Sequence, residues 1–308
     1  MDALSDILKT APVTGSFFSR AELGAPWGLH TTGTRSAIFH VGLSGGGYVT
    51  VEGLEPQPFR GGDVVLMPHG HPHVLSDQPG RSSVAIQSMP RRNAAEDDLP
   101  CVVVDGGART TILCGSFRFS AEAEEFLLPL LPPLMLVRGG ESPTAAWLDS
   151  TLRWMSTELA TGQPGSELLL ARLADVLFVQ VLRRWWEQER PEAGLLAGLA
   201  DPAVARALDL IHRRPASPWT AEDLAKKAGL SRTAFFSRFQ KTVGETPSAY
   251  VARWRMVLAR KALRRGAGLC EVSESVGYSS EAAFSRAFKR VVGLSPSVWR
   301  QTAANAST

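Results

Sequence analysis

Histidine and cysteine are scarce in this chain, at six and three of 308 residues, and the scarcity excludes several protein classes. Cys101, Cys114 and Cys270 are odd in number and follow no framework spacing, so the expectation is a reduced, cytoplasmic protein without disulfides. Long apolar runs are missing as well. The most apolar stretch, FLLPLLPPLMLV at residues 126–137, is twelve residues long and carries three prolines, too short and too broken to span a bilayer. The opening MDALSDILKT has no basic segment followed by an apolar one, so no secretory leader is expected. There is no nucleophile elbow, no HExxH and no phosphate-cradling glycine loop. GLSGGGY at 42–48 falls between strands and does not open a helix.

Charge is unevenly spread. Residues 201–308 hold 18 Lys and Arg against 8 Asp and Glu, whereas residues 1–200 hold 15 against 22. A basic third joined to an acidic remainder points to a polyanion-binding module attached to something that is not one. Up to about residue 120 the pattern is of short strands, AIFHVGL, YVTVEGL, DVVLMP, SVAIQSM, CVVVDG and TTILCGSF, separated by Gly, Pro and Asp turns. From about residue 144 long helices take over. AAWLDSTLRWMSTELA and SELLLARLADVLFVQVLRRWWEQE repeat apolar residues every three or four positions, with GQPG (162–165) as the turn between them. The second is apolar on more than one face, enough to cover the strands and to meet a partner chain. Asp201-Pro202 reads as the cap and first residue of a further helix, which places a boundary near 195–200.

The C-terminal third repeats itself. Phe235, Phe239, Gly244 and Pro247 return 49 positions later as Phe284, Phe288, Gly293 and Pro296. Each copy reads as a helix, a glycine turn and a Ser-capped second helix, so the chain carries two helix-turn-helix units. In the second helices Phe235, Phe239 and Val243, and Phe284, Phe288 and Val292, form the buried stripe. The opposite faces carry Arg232, Thr233, Phe236, Ser237 and Gln240 in the first copy, and Glu281, Ala282, Ser285, Arg286 and Lys289 in the second. A major groove of about 12 Å admits such a helix. The connecting helix of about 18–20 residues is roughly 27–30 Å long, close to one turn of DNA at about 34 Å. It can hold two recognition helices in successive major grooves.

At these residues a resemblance becomes specific. Residues 201–303 resemble the DNA-binding domain of the AraC/XylS family of bacterial transcription regulators, most strongly across GYSSEAAFSRAFKRVVGLSPSVWR (277–300). The resemblance implies base-proximal positions at Thr233, Phe236, Ser237, Glu281, Ala282, Ser285 and Arg286. It also implies phosphate contacts at Arg232, Lys241, Lys289 and Arg290, which position the protein without reading sequence. The N-terminal two thirds is similar to the sensor half of one branch of the family, a cupin barrel followed by dimerisation helices.

The cupin resemblance is carried by Gly62 to Asp77, GDVVLMPHGHPHVLSD, with Asp77 where the motif ends in Asn. It implies a ligand role for His73, whereas His69 and His71 are expected to be solvated. The first cupin motif lacks its HxH pair and its Glu. His40 falls near the Glu position by strand parity, and Cys114 on a later strand is the third candidate. His40, His73 and Cys114 would suit zinc or another transition metal. Cys101 and Cys114 would form a redox pair if close in space, and Cys270 is expected to pack in the second helix-turn-helix.

The sequence thus predicts a multi-domain α and β protein. A cupin-like β-barrel sensor spans 1–140, a helical dimerisation segment 141–195, and an all-α DNA-binding domain with two helix-turn-helix units 196–308. The expected function is transcription regulation rather than enzymatic activity, with a metal, oxidant or small molecule as the signal. Double-stranded DNA and a second copy of the chain are the expected partners, and RNA polymerase is a further candidate. One alternative is a dioxygenase-like cupin metalloenzyme with a DNA-binding tail, which the missing HxH and Glu argue against. The other is an architectural DNA-binding protein without a sensor.

Overall fold

The computed structural model describes residues 3–89, 91–92, 101–139, 143–161, 163–190 and 194–305. The chain opens with α1 (Ala3–Thr10), followed by β1 (Val13–Gly24), β2 (Gly28–Thr31), β3 (Ala37–Ser44), β4 (Gly46–Val51) and β5 (Gln57–Arg60). Next come β6 (Val64–Met67), β7 (His73–Ser76), β8 (Val84–Ala85), β9 (Arg91–Arg92), β10 (Cys101–Val104) and β11 (Arg109–Phe119). A short α2 (Ala121–Phe126) and β12 (Met135–Val137) precede two long helices, α3 (Pro143–Thr161) and α4 (Ser166–Glu189). Eight helices complete the described chain: α5 (Leu195–Ala200), α6 (Pro202–Arg213), α7 (Ala221–Ala228), α8 (Arg232–Val243), α9 (Pro247–Arg264), α10 (Leu269–Ser275), α11 (Glu281–Val292) and α12 (Pro296–Asn305). No described helix is long and apolar enough to cross a membrane.

These elements form two compact units. One comprises residues 13–120 and 131–190; the other gathers 191–308 together with 1–12 and 121–130. The sequence boundary at 140/141 lies outside the described residues. The segments 1–12 and 121–130, read from sequence as parts of the sensor, fold with the helical unit.

In the first unit the strands form a seven-stranded sheet, β12-β6-β3-β11-β1-β10-β9, and a five-stranded sheet, β5-β4-β7-β2-β8. Alternation along each strand decides which side chains turn inward. Ala21, Leu23, Ile38, Val65, Met67, Ile112 and Cys114 of the larger sheet share a core with Leu29, Val49, Val51, Phe59 and Leu75 of the smaller. The opposite face of the larger sheet meets α4, where Phe117 lies edge-on to Phe178 at 5.1 Å between ring centroids. Full burial of such a side chain stabilises by about 1.5–3 kcal/mol. The long pair β1–β11 runs antiparallel with one bulge between Phe17 and Ser19, next to the Ser19–Cys114 pair. SVAIQSM, expected as a strand, contributes only Val84–Ala85 before turning into a 3-10 helix at Ile86–Ser88.

In the second unit both helix-turn-helix pairs are present. Asp201 caps α6, accepting from the amides of Ala203 and Val204. Thr220 and Asp223 form a reciprocal capping box on α7, which ends at Gly229 in the left-handed conformation. Helix α9 carries two apolar faces. Tyr250, Val251, Trp254 and Val257 enter one core with Phe235 and Phe239, while Met256, Ala259 and Leu263 enter another with Phe284 and Phe288. At 1.5 Å per residue its 18 residues span about 27 Å.

Candidate functional site

The two second helices present their predicted faces to solvent. Ser231 accepts from the Ala234 amide at 3.3 Å and Ser280 from the Ala283 amide at 3.2 Å, so each helix begins on a capped first turn. Thr233, Phe236, Ser237, Glu281, Ala282 and Arg286 are exposed, and Ser285 is half-buried. Phe236 is 40% exposed although Phe235 beside it is fully buried, so an aromatic edge remains available on the outer face. Arg232, Lys241, Lys289 and Arg290 are also exposed. Arg238, on the same helix as Arg232, is instead tied to Asp201 at 2.6 Å.

Within the sheet unit, register brings the other candidates together. His40 on β3 pairs with Cys114 on β11, and both side chains turn inward. Val51 of β4 and Thr31 of β2 flank His73 on β7. The contacts form one chain. The Cys114 sulfur lies 3.1 Å from His40 Nδ1, and His40 Nε2 lies 2.7 Å from His73 Nε2. His73 Nδ1 lies 2.9 Å from the His71 carbonyl and 3.1 Å from Thr31 Oγ1.

That carbonyl can only accept, so His73 Nδ1 carries a proton. Burial pushes the His73 pKa down, which keeps the ring neutral and leaves its Nε2 as an acceptor. His40 must then donate from Nε2 and accept at Nδ1, and the Cys114 thiol donates to it. The same assignment follows from the other groups' environments. Burial, and then the neighbouring His73, hold the His40 pKa well below its usual value. Burial pushes the Cys114 thiol up to about 12, with the Ser19 hydroxyl opposing. Every member of the relay is uncharged and hydrogen-bonded.

His40 also borders a cavity of about 290 Å³ whose other walls include Thr31, Thr34, Ser36, Ile38, Ile86, Gln87 and Ser116. None of the lining side chains is charged. The lining combines apolar surface with a few hydrogen-bonding groups from Thr31, Ser36 and Gln87.

Comparison with known proteins gives this arrangement a family. A cupin family model matches residues 2–187 and a helix-turn-helix domain model matches 224–302. An AraC-like transcription regulator of Streptomyces lividans is 36% identical, over 98% of this chain and 98% of its own. The HTH-type transcriptional regulator AlkR of Acinetobacter baylyi is 31% identical, over 98% of this chain and 99% of its own. The chain belongs to the AraC family of transcription regulators. Among solved structures, the DNA-binding domain of AdpA in complex with a target DNA is similar at 27% identity, covering 33% of this chain and 92% of that one with a TM-score of 0.32.

This AraC-family regulator therefore has a cupin region and a DNA-binding helix-turn-helix region, and the relatives that match its full length carry regulators' names, not enzymes'. Cupins commonly hold a metal, so the trio must be tested for one. A single ion bound by both imidazoles needs Nε2 atoms separated by more than a hydrogen bond, with ligand bonds of about 2.0–2.1 Å. Here they are 2.7 Å apart, and Cys114 sits on the opposite nitrogen of His40, so one ion cannot take all three as placed. Among the described residues no group of three His, Cys, Asp or Glu is poised to hold a metal. As placed, the three side chains form a hydrogen-bonded series and not the coordination shell that the cupin resemblance implies.

The remaining candidates fall elsewhere in this AraC-family fold. Cys101 pairs with Arg20 and Cys114 with Ser19, on strands flanking β1 from either side. The two side chains point to opposite faces of the sheet, on strands whose backbones lie about 9–10 Å apart by strand spacing. A direct disulfide between them does not fit that register. His69, expected in solvent, is half-buried and hydrogen-bonded to the Leu131 carbonyl at 2.9 Å. His71 is half-buried, and its Nδ1 is buried without a hydrogen-bond partner among the described residues. Asp77 is engaged by Arg81 through two bonds of 2.7 and 3.0 Å. Cys270, expected to pack, is exposed beside Glu274. Thr31 and Ser19 complete the relay's surroundings and were not singled out from sequence. Strand parity could have flagged Ser19, which shares the inward face of Ala21 and Leu23.

Proposed function

We propose that this regulator responds to a small uncharged molecule bound in the cupin cavity beside His40, and that it acts on DNA as a homodimer. The observation that carries this reading is the charge-free cavity set directly against a fully hydrogen-bonded Cys114–His40–His73 relay. A ligand there would exchange hydrogen bonds with Gln87, Ser36 and Thr31. It would shift DNA binding by its differential affinity for two arrangements of the chain. The relay serves as a pre-organised polar floor in place of a metal centre.

Support for the dimer comes from α3 and α4. Trp147 and Trp154 are 71% and 68% exposed and lie seven residues apart on α3; Leu169 and Val176 are exposed at the same spacing on α4. Large apolar side chains left on one face at helical spacing suit a second copy of the same helices.

The test is a promoter reporter screened against uncharged small molecules, with the full chain and with Ile86→Trp, which fills the cavity. Response in the wild type, and its loss in Ile86→Trp with DNA binding retained, is the expected result. A response that survives the filled cavity would place the effector elsewhere. Metal analysis of the same preparations is expected to give well under one ion per chain for wild type and His73→Ala alike. A stoichiometric metal lost in His73→Ala would overturn the metal-free relay.

A further inference from the structure

The helical unit contains two segments that the sequence places far from it, and one of them grips the helix on which DNA recognition depends. Helix α2 packs along α9 through three side chains. Glu122 is paired with Arg264 and Glu125 with Arg260. Phe126 is fully buried, 5.2 Å from the Trp254 ring and 6.1 Å from Tyr250, with the Arg253 guanidinium 4.4 Å above its ring. The end of α1 adds a further hold, since Lys261 donates to the carbonyls of Lys9 and Thr10 at 3.0 and 2.9 Å.

The positions gripped are informative. Tyr250 and Trp254 belong to the core of the first helix-turn-helix. Arg260 and Arg264 lie beyond the point where α9 begins to serve the second, and Arg264 also stacks over Trp299 of that second core at 5.2 Å. From residue 254 to residue 264 is about 15 Å of helix, so one six-residue helix spans the joint between the two recognition units. Arg260 is only 12% exposed, so without Glu125 its nearly buried guanidinium would lose its ion-pair partner and keep only the weaker influence of Glu122. The grip is therefore specific to these carboxylates, not a general covering of apolar surface.

We propose that Glu122, Glu125 and Phe126 are positioning residues for DNA recognition: by bracing α9 across its joint they fix the spacing of the two recognition helices. They touch no base; they act through α9. Two helices that read successive major grooves require a fixed separation, because one inserted base pair displaces the second box by about 3.4 Å and rotates it by roughly a tenth of a turn. The inference goes beyond the effector reading and holds whatever binds in the cupin cavity.

The experiment uses the full chain and a duplex selected from a random library by the wild-type protein. Its relatives are the same duplex with one base pair inserted between the two boxes, and a duplex keeping only one box. Affinities are measured by fluorescence anisotropy. Wild type is expected to lose about tenfold on insertion, the scale of a single defect in a site. The Glu122→Gln/Glu125→Gln variant is expected to lose about threefold or less, with single-box affinity within about twofold of wild type. Charge exchange in the Glu125→Arg/Arg260→Glu variant is expected to restore most of the insertion penalty that Glu125→Arg alone relaxes. An unchanged penalty in the Gln variant would overturn the proposal. So would an equal loss on one-box and two-box duplexes, which marks a purely structural role, or a swapped pair that folds yet leaves the spacing relaxed.

Discussion

The two helix-turn-helix units are copies in sequence and unequal in support. Among the described residues the core around Phe235 and Phe239 holds eighteen buried residues, drawn from α1, α2 and α5–α9, whereas the core around Phe284 and Phe288 holds eight. Helix α7 begins on a capping box, while α10 begins at Gly268 with no side-chain cap. The faces differ as well. Each recognition helix carries three exposed cations, Arg232, Arg238 and Lys241 on the first and Arg286, Lys289 and Arg290 on the second. The first adds an exposed Phe236 and the second an acidic Glu281. A well-braced unit with an exposed aromatic on its recognition helix is paired with a thinly supported unit that has an acidic residue in the first turn of its own. The contrast is one of support: the first unit is held by many neighbours, and the second recognition helix depends on few.

The largest effect should come from emptying either core. Phe239→Ala and Phe288→Ala each remove a fully buried ring and should each cost about 3–5 kcal/mol. The inequality predicts different footprints. Phe288→Ala should strip amide-exchange protection from α10–α12 while α6–α8 stay protected, because the first core has its own partners. Loss of protection across both units in Phe288→Ala would show a single cooperative body and remove the comparison.

Acid should separate the units next. His212, the lone histidine of the C-terminal third, is stacked on Trp254 at 4.1 Å and bonded to the Tyr250 hydroxyl at 2.7 Å. Burial lowers its pKa to about 4, with the Ala3 carbonyl opposing and Arg253 adding to the shift. A histidine depressed in the folded state binds its proton only on unfolding, so stability falls as pH drops from about 6.5 to about 4 and levels off below. The full span corresponds to about 3 kcal/mol. Denaturant melts followed at the first unit should show this slope, and His212→Gln should flatten it. The second unit contains no histidine, so an equal slope there between pH 6.5 and 5 would refute the assignment.

At the DNA surface the expected effects are smaller. Arg286→Ala should cost about 1–3 kcal/mol and relax preference at one base position, whereas Lys289→Ala should weaken all sequences alike and reduce the salt slope by about one. Binding profiles across a library of single-base variants distinguish the two. Uniform weakening by Arg286→Ala would reassign it to the phosphates.

Much of this asymmetry could not be read from the sequence, although the units themselves could. The repeat of Phe, Phe, Gly and Pro at a spacing of 49 locates both recognition helices, because a local pattern at helical period dictates a local structure. The cupin resemblance at His73, strand parity at His40 and Cys114 on a later strand single out three side chains that meet in the structure. Their chemistry is a different matter. Whether three donors surround an ion or hydrogen-bond in series depends on which ring nitrogen faces which neighbour, and no residue pattern encodes a rotamer. The reinforcement of the first unit is hidden for another reason. Glu122 and Arg264 are 142 residues apart and Lys9 and Lys261 are 252, and helices of six and eight residues are too short for periodicity to declare a partner. SVAIQSM shows the reverse error: its apolar residues suggest a strand, yet only Val84–Ala85 pair before the backbone coils.

The smallest prediction probes the thinner unit at its weakest point. Ser231→Ala and Ser280→Ala remove equivalent caps, each worth about 1 kcal/mol. The global losses should therefore be similar. The consequences for DNA should not be. Helix α8 keeps its first turn through Phe235, buried among the many residues of the first core. The first turn of α11 carries Glu281 and Ala282, both exposed, and depends on Phe284 in a core less than half as large. Fraying after Ser280→Ala should disorder the residues that the family resemblance places near the bases, so affinity for the selected duplex should fall about three- to fivefold more than after Ser231→Ala. Equal losses of affinity would mean that the second recognition helix is held as firmly as the first, and the difference in support would then not reach the DNA surface.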